Sequence, residues 1–181
     1  MPSVISHAAV AVAAGVAFAP RDVPSHFWPL SLACSIIPDA DVIGFSLGIP
    51  YGHFFGHRGF FHSPFFGLVM SMFVVGVFFR DVEIFSRRWF FYSVFFFLLS
   101  ASHGILDAFT SGGLGIALLS PFDSTRYFFP WTPIMVSPIG IEPFLSTWGL
   151  SVIKSELLWI WLPSLLVAVV STVIRVVAVR H

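Results

Sequence analysis

Charge is scarce in this sequence. Nine basic and nine acidic residues make up 10% of its 181 positions and cancel to a formal net charge of zero. A soluble domain carries about 25% charged residues, so a water-facing surface of ordinary composition is excluded. No basic excess is present to hold a phosphate backbone, which excludes nucleic acid as a partner. Cysteine is nearly absent. Cys34 alone allows no internal disulfide and no cysteine-based zinc site, and its apolar neighbours suit a small buried hydrophobe. No Lys or Arg precedes the first apolar stretch, where a signal peptide would carry its positive region. VISHAAVAVAAGVAFAP therefore reads as a retained first helix. Internal repeats and charged, low-complexity tails are also lacking.

Apolar residues fill the space. The chain is 57% hydrophobic with 23 phenylalanines and a mean hydropathy of +0.92, a membrane composition. Its length suits one domain over residues 1–181. Five apolar segments can be read, over residues 3–19, 27–47, 64–79, 89–109 and 156–179, the last interrupted by Pro163. A membrane-crossing helix needs about 20 residues, so the first and third cross with little tilt or only in part. The expected fold is all-α, a polytopic membrane bundle of about four to five spanning or partly spanning helices. Ser63-Pro64 reads as an N-cap followed by proline at the first helical position, which sets His62 just outside a helix mouth. Over residues 110–155, Gly, Pro, Ser and clustered aromatics predict a long ordered loop at the membrane–water boundary.

The few charges orient the chain. Arg80, Arg87 and Arg88 crowd one short connection, which assigns it to the cytoplasm. Threading outward places Arg21, Arg175 and Arg180 on the same side, six basic residues against three (Arg58, Arg126 and Lys154) on the other. The same threading gathers His7, Asp39, Asp41, His57, His62, His103 and Asp107 at the non-cytoplasmic face. His103 and Asp107, four apart, share one side of a helix and suit either a hydrogen-bonded pair or a functional site, since ionisable groups in spanning segments are expensive. The two carboxylates of Pro38-Asp39-Ala40-Asp41 repel unless a proton or cation lies between them. Four histidines and three carboxylates form a nitrogen and oxygen ligand set for one or more divalent ions, Zn²⁺ foremost, with Mn²⁺ or Fe as alternatives. Without thiolates, such a set favours an open catalytic centre over a closed structural one. Arg58, between His57 and His62, suits a forked hydrogen bond to a phosphate or carboxylate, or simply a basic residue at headgroup level. His26 and His53 lack a partner at helical spacing and His181 is a chain end, so these three stay outside the set.

His7, PDAD at 38–41, HRGFFHS at 57–63, HGILDAFTSGG at 103–113 and SPFDSTRYFFPW at 120–131 occur in order. Together they resemble the membrane-bound metal-dependent hydrolase family, the YdjM-like or DUF457 group, over roughly the first three-quarters of the chain. The resemblance implies a bacterial inner-membrane hydrolase distantly akin to zinc-dependent phospholipase C. It implies the same seven polar residues as the site, with Arg58 and Thr110 as part of the pattern. Phe61 stands where the commoner form has Thr, and Thr132 where Arg is frequent; both departures bear on substrate contacts more than on metal. The expected activity is metal-dependent hydrolysis of a phosphoester or lipid-like substrate at the membrane face, with membrane lipids as partners. Asp39 or Asp41 would act as general base, and Arg58 would steady developing charge. The alternatives are a proton or metal-ion transporter, whose ionisable residues would line a path through the bilayer, and a non-catalytic metal-binding membrane protein.

Overall fold

The computed structural model of the chain describes residues 1–179; Arg180 and His181 lie outside the described residues. The regular elements are α1 (Val4–Phe18), α2 (Phe27–Ile36), α3 (Ile43–Ser46), α4 (Pro64–Phe78), α5 (Arg87–Ala108), α6 (Ile141–Phe144), α7 (Thr147–Glu156) and α8 (Leu162–Val179). Among the described residues there is no strand, and the all-α expectation holds. Of the four to five spanning or partly spanning helices expected, two are long and apolar enough to cross a membrane: Arg87–Ala108 and the continuous run Thr147–Ala178. Helices α1 and α4 are apolar but have 15 residues each.

Local chemistry sets the boundaries. Ser63 Oγ accepts the Phe66 N–H at 3.1 Å ahead of Pro64, as the sequence predicted, and Ser86 Oγ accepts the Trp89 N–H at 3.1 Å to start α5. Residues 27–47 do not form one helix. After α2 the backbone tightens into a 3₁₀ stretch, Ile37–Val42, which carries Pro38, Asp39 and Asp41. Pro38 has no N–H to return to the carbonyl four residues back, and the tighter winding points both aspartates inward. The long loop also ends earlier than expected, because α6 and α7 occupy its last part. Ser146 starts α7 by accepting the Trp148 N–H at 3.2 Å. Pro163 does not interrupt the final helix. A π-helical stretch, Leu157–Trp161, precedes it, and the Leu162 N–H bonds back to the Leu157 carbonyl. The wider turn absorbs the proline ring and its missing donor.

Helix α5 is the centre of the bundle: half of its apolar window is buried, against 6% for that of the last helix. Ser71 Oγ of α4 donates to the Ser93 carbonyl of α5 at 2.6 Å. Phe27, Cys34, Phe79, Tyr92, Phe95 and Phe96 form the core beside this contact, with Cys34 buried as expected. The two ends of the bundle differ in chemistry. At one, Arg88 pairs with Asp22, and Arg175 donates to the carbonyls of Ala17 and Ala19 at 2.7 and 2.9 Å, closing the C-terminus of α1. At the other, His7 of α1 meets Asp107 of α5. Helix α1 therefore runs parallel to α8 and antiparallel to α5, with the arginines and the polar cluster at opposite ends.

Candidate metal centre

Helix α5 presents His103 and Asp107 one turn apart, both fully buried. Gly104 between them is required: a Cβ there would lie 2.0 Å from the His62 carbonyl oxygen. Its absence lets the turn Phe60–His62 seat directly on α5. From the other side, the carbonyl of Ser35, in the last turn of α2, accepts the His103 Nδ1–H at 2.7 Å. That bond fixes the tautomer and turns the lone pair of Nε2 inward.

Four ligand atoms converge. His103 Nε2 lies 3.2 Å from His62 Nε2 and 3.2 Å from Asp39 Oδ1. His62 Nε2 lies 3.4 Å from Asp39 Oδ1 and 3.3 Å from Asp107 Oδ2, and His103 Nε2 lies 3.9 Å from Asp107 Oδ2. Around a four-coordinate ion with bonds of about 2.0–2.1 Å, neighbouring ligand atoms stand about 3.3 Å apart, so these separations fit a metal ion. Asp39, His62, His103 and Asp107 thus form a buried group that can hold one. The His7 ring stacks on His103 with centroids 3.7 Å apart, and its Nε2 lies 3.4 Å from Asp107 Oδ1.

Asp41 and His57 form an outer layer. His57 Nδ1–H donates to Asp41 Oδ1 at 2.7 Å, the Arg58 N–H donates to Asp41 Oδ2 at 3.2 Å, and His62 Nδ1 stands 3.1 Å from that second oxygen. This layer orients His62 from behind, as outer carboxylates do for metal-binding histidines. Asp41, His57 and His62 are also close enough to form a second ligand group sharing His62, but the 2.7 Å separation is a hydrogen-bond length. All seven residues collected from the sequence are brought together, in two layers. His53 lies exposed, and His26 packs on Phe79 away from the cluster.

Arg58 is placed differently from its expectation. It is fully buried, with φ at 64°, a conformation unusual outside glycine. Its guanidinium donates to the Gly112 carbonyl at 2.5 Å and Thr110 Oγ1 at 2.9 Å, and its Nε lies 3.8 Å from Asp107 Oδ2. The Thr110 hydroxyl in turn donates to the Asp107 carbonyl at 2.7 Å. The forked edge is spent inside the protein, behind Asp107, and does not face open space. Arg126, read from the sequence only as an outer charge, donates to the carbonyls of His57, Tyr51 and His53 and clamps the histidine loop from the long loop. Glu156, read only as the start of an apolar segment, is fully buried. A carboxylate inside an otherwise apolar helix was the signal for it.

The electrostatics also suit a cation. Both oxygens of Asp39 and of Asp107, and His7 Nε2, are buried without a hydrogen-bond partner, although buried polar atoms are ordinarily paired. With His62 neutral, as a ligand must be, three carboxylates against one guanidinium leave a deficit that one divalent ion would balance. Burial acts to lower the His62 pKa, but the carboxylates of Asp107, Asp39 and Asp41 hold it well above its ordinary value. Burial acts to raise that of Asp41, and His57 and His62 hold it below. Two apolar cavities reach the centre. One of about 330 Å³ opens on Asp39 between Met1, Val4, Ile5, Pro138, Ile141 and Phe144. The other, of about 450 Å³, opens on Asp41 among Ile37, Ile43, Leu47, Phe55 and Phe61.

Comparison with known proteins adds a lineage to this geometry. The family described as YdjM inner membrane protein matches residues 1–181. The inner membrane protein YbcI of Escherichia coli (strain K12) is 37% identical over 171 residues, covering 92% of this chain and 94% of that protein. No solved structure matches the chain.

Proposed function

The chain belongs to the YdjM family of inner membrane proteins, and we propose that it works there as a metal-dependent hydrolase of a phosphoester or lipid-like substrate. The observation that carries the reading is the buried group Asp39, His62, His103 and Asp107, whose ligand atoms all lie within 4.8 Å of one another, close enough to hold one ion. These four would hold the ion, Zn²⁺ foremost, with His7 as a further donor. Such an ion supplies Lewis acidity and lowers the pKa of water. Asp41 and His57 hold the His62 ring, the Ser35 carbonyl holds that of His103, and Arg58 with Thr110 holds Asp107. Both oxygens of Asp41 are engaged by these neighbours. Asp39 lines the 330 Å³ cavity; with Oδ1 in the ligand group, its Oδ2 has no hydrogen-bond partner, and in this reading that oxygen takes the proton from the attacking water. Arg58 offsets negative charge through Asp107 and does not touch substrate.

The apolar cavity walls favour a substrate with hydrocarbon, drawn from the membrane, over a free polar phosphoester. The transport alternative would need ionisable residues along the bundle, whereas this cluster occupies one end. In this reading that end, opposite Arg88 and Arg175, faces away from the cytoplasm. Metal analysis of detergent-purified wild type beside His62→Ala and His103→Ala tests the assignment. At least one transition ion per chain, lost in both variants, is expected, together with release of product from a phospholipid panel by wild type alone. Wild type free of metal, with unchanged melting on adding Zn²⁺ or Mn²⁺, would remove the hydrolase reading.

A further inference from the structure

Glu156 is the one carboxylate of the continuous helical run Thr147–Ala178; it is fully buried and belongs to neither ligand group. Its partners are neutral donors at the start of α1. Oε1 accepts the Ser3 backbone N–H. Oε2 accepts the hydroxyls of Ser3 at 2.6 Å and Ser6 at 2.8 Å. The Ser6 hydroxyl accepts in turn from Trp161 Nε1 at 2.7 Å. A carboxylate at this place is favoured by the exposed N–H groups and dipole of the helix start. Removing it would leave those buried donors unmet.

The bonds fall on the turn that carries His7. Ser6 is its chain neighbour, and the His7 N–H bonds to the Ser3 carbonyl at 3.3 Å. Clamping Ser3 and Ser6 fixes both the rotation of α1 about its axis and its height along the bundle. Those two degrees of freedom decide whether the His7 ring stacks on His103 and whether its Nε2 reaches Asp107. Apolar contact alone sets them loosely, because beyond Ser6 and His7 the buried face of α1 is only Ala11, Gly15 and Ala17. We propose that Glu156 is a positioning residue of the metal centre, acting through Ser3 and Ser6 to hold His7 in place. The inference rests on the metal-binding reading above.

The test loads full-length wild type, Glu156→Ala, Glu156→Gln, His7→Ala and the Glu156→Ala/His7→Ala double variant with Co²⁺, and records visible absorption and affinity. E156A is expected to change the Co²⁺ spectrum and weaken binding about tenfold, the scale of losses from outer partners of metal ligands. H7A is expected to do the same, and the double variant to be no worse than H7A. E156Q keeps one accepting oxygen and the side-chain volume, and is expected to restore the wild-type spectrum. A lowered melting temperature in E156A with an unchanged spectrum and affinity, or fully additive losses in the double variant, would overturn the proposal. If E156A is not recovered folded, Ser6→Ala carries the same comparison. If wild type takes up no Co²⁺, the metal reading fails on its own. The clamp is then judged from ¹⁵N imidazole resonances of the metal-free protein. The His7 signal must move in E156A or S6A and hold in E156Q, and an unmoved signal overturns it.

Discussion

A methyl group at position 104 would sit 2.0 Å from the His62 carbonyl oxygen. The obstacle is backbone, so it cannot swing aside as a flexible side chain would. Gly104→Ala is therefore expected to push the His62 turn off α5, costing about 1–3 kcal/mol as overpacking does, and to abolish metal retention. Thermal unfolding together with metal analysis measures both. Gly76→Ala on α4, where an added Cβ meets nothing within 4 Å, serves as the control. It should retain metal and keep or gain stability, since alanine is the better helix former. His62 supplies a prediction in pH. Its pKa is held well above the ordinary value in the metal-free protein. The stability it contributes there is full below its unfolded pKa and is lost as pH rises through the raised value. A metal ion needs His62 neutral and must displace that proton, so metal binding runs the other way. Affinity should fall with decreasing pH by about tenfold per unit for each proton displaced. Titrating Co²⁺ at several pH values checks the sign, and a flat profile would show that His62 is no ligand.

At the scale of elements, two serines start the two helices that frame the site. Ser63 and Ser86 each accept an N–H from three residues on, and loss of such a cap costs about 1 kcal/mol. Ser86→Ala should lower the melting temperature and leave metal content alone, because it lies at the far end of α5. Ser63→Ala should lower both, because it adjoins His62. Equal metal loss in the two variants would mean that these caps act only through global stability. The caps were legible in the sequence because Ser before Pro64 is a local signal. The break after Ile36 was not read. Hydropathy runs on through residues 37–47 and masks the tightening at Pro38, whose consequence shows only where Asp39 meets His103 of α5. The continuity of the last helix through Pro163 was equally hidden, since the π stretch that accommodates the proline has no signature in an all-apolar run.

For the molecule as a whole, Arg88 and Arg175 lie at the end of the bundle opposite the polar cluster. With the positive-inside rule, this gives a directional expectation. In a Cys34→Ala background, Ile84→Cys should react with a membrane-impermeant maleimide only after permeabilisation. Phe122→Cys should react in intact spheroplasts. Both positions are well exposed, at 66% and 86%, so access to the reagent is set by the membrane and not by burial. The reverse pattern would turn the site toward the cytoplasm.

Composition alone determined the environment of this chain, because so few charges cannot clothe a water-soluble surface. The spacing of His103 and Asp107, and the order of the motifs, determined which residues gather, because helical periodicity and threading act over short distances along the chain. Tertiary structure decided the division of labour among them. Whether a carboxylate binds metal or orients a histidine depends on which oxygen faces which ring, and Asp39 and Asp41 are two residues apart in sequence yet end in different layers. The same holds for Arg58, whose guanidinium turns inward to donate to Thr110 and Gly112, just past the end of α5. It holds for Glu156, whose role exists only because the start of α1 packs against it, although Ser6 and Ser3 lie 150 and 153 residues away in the chain.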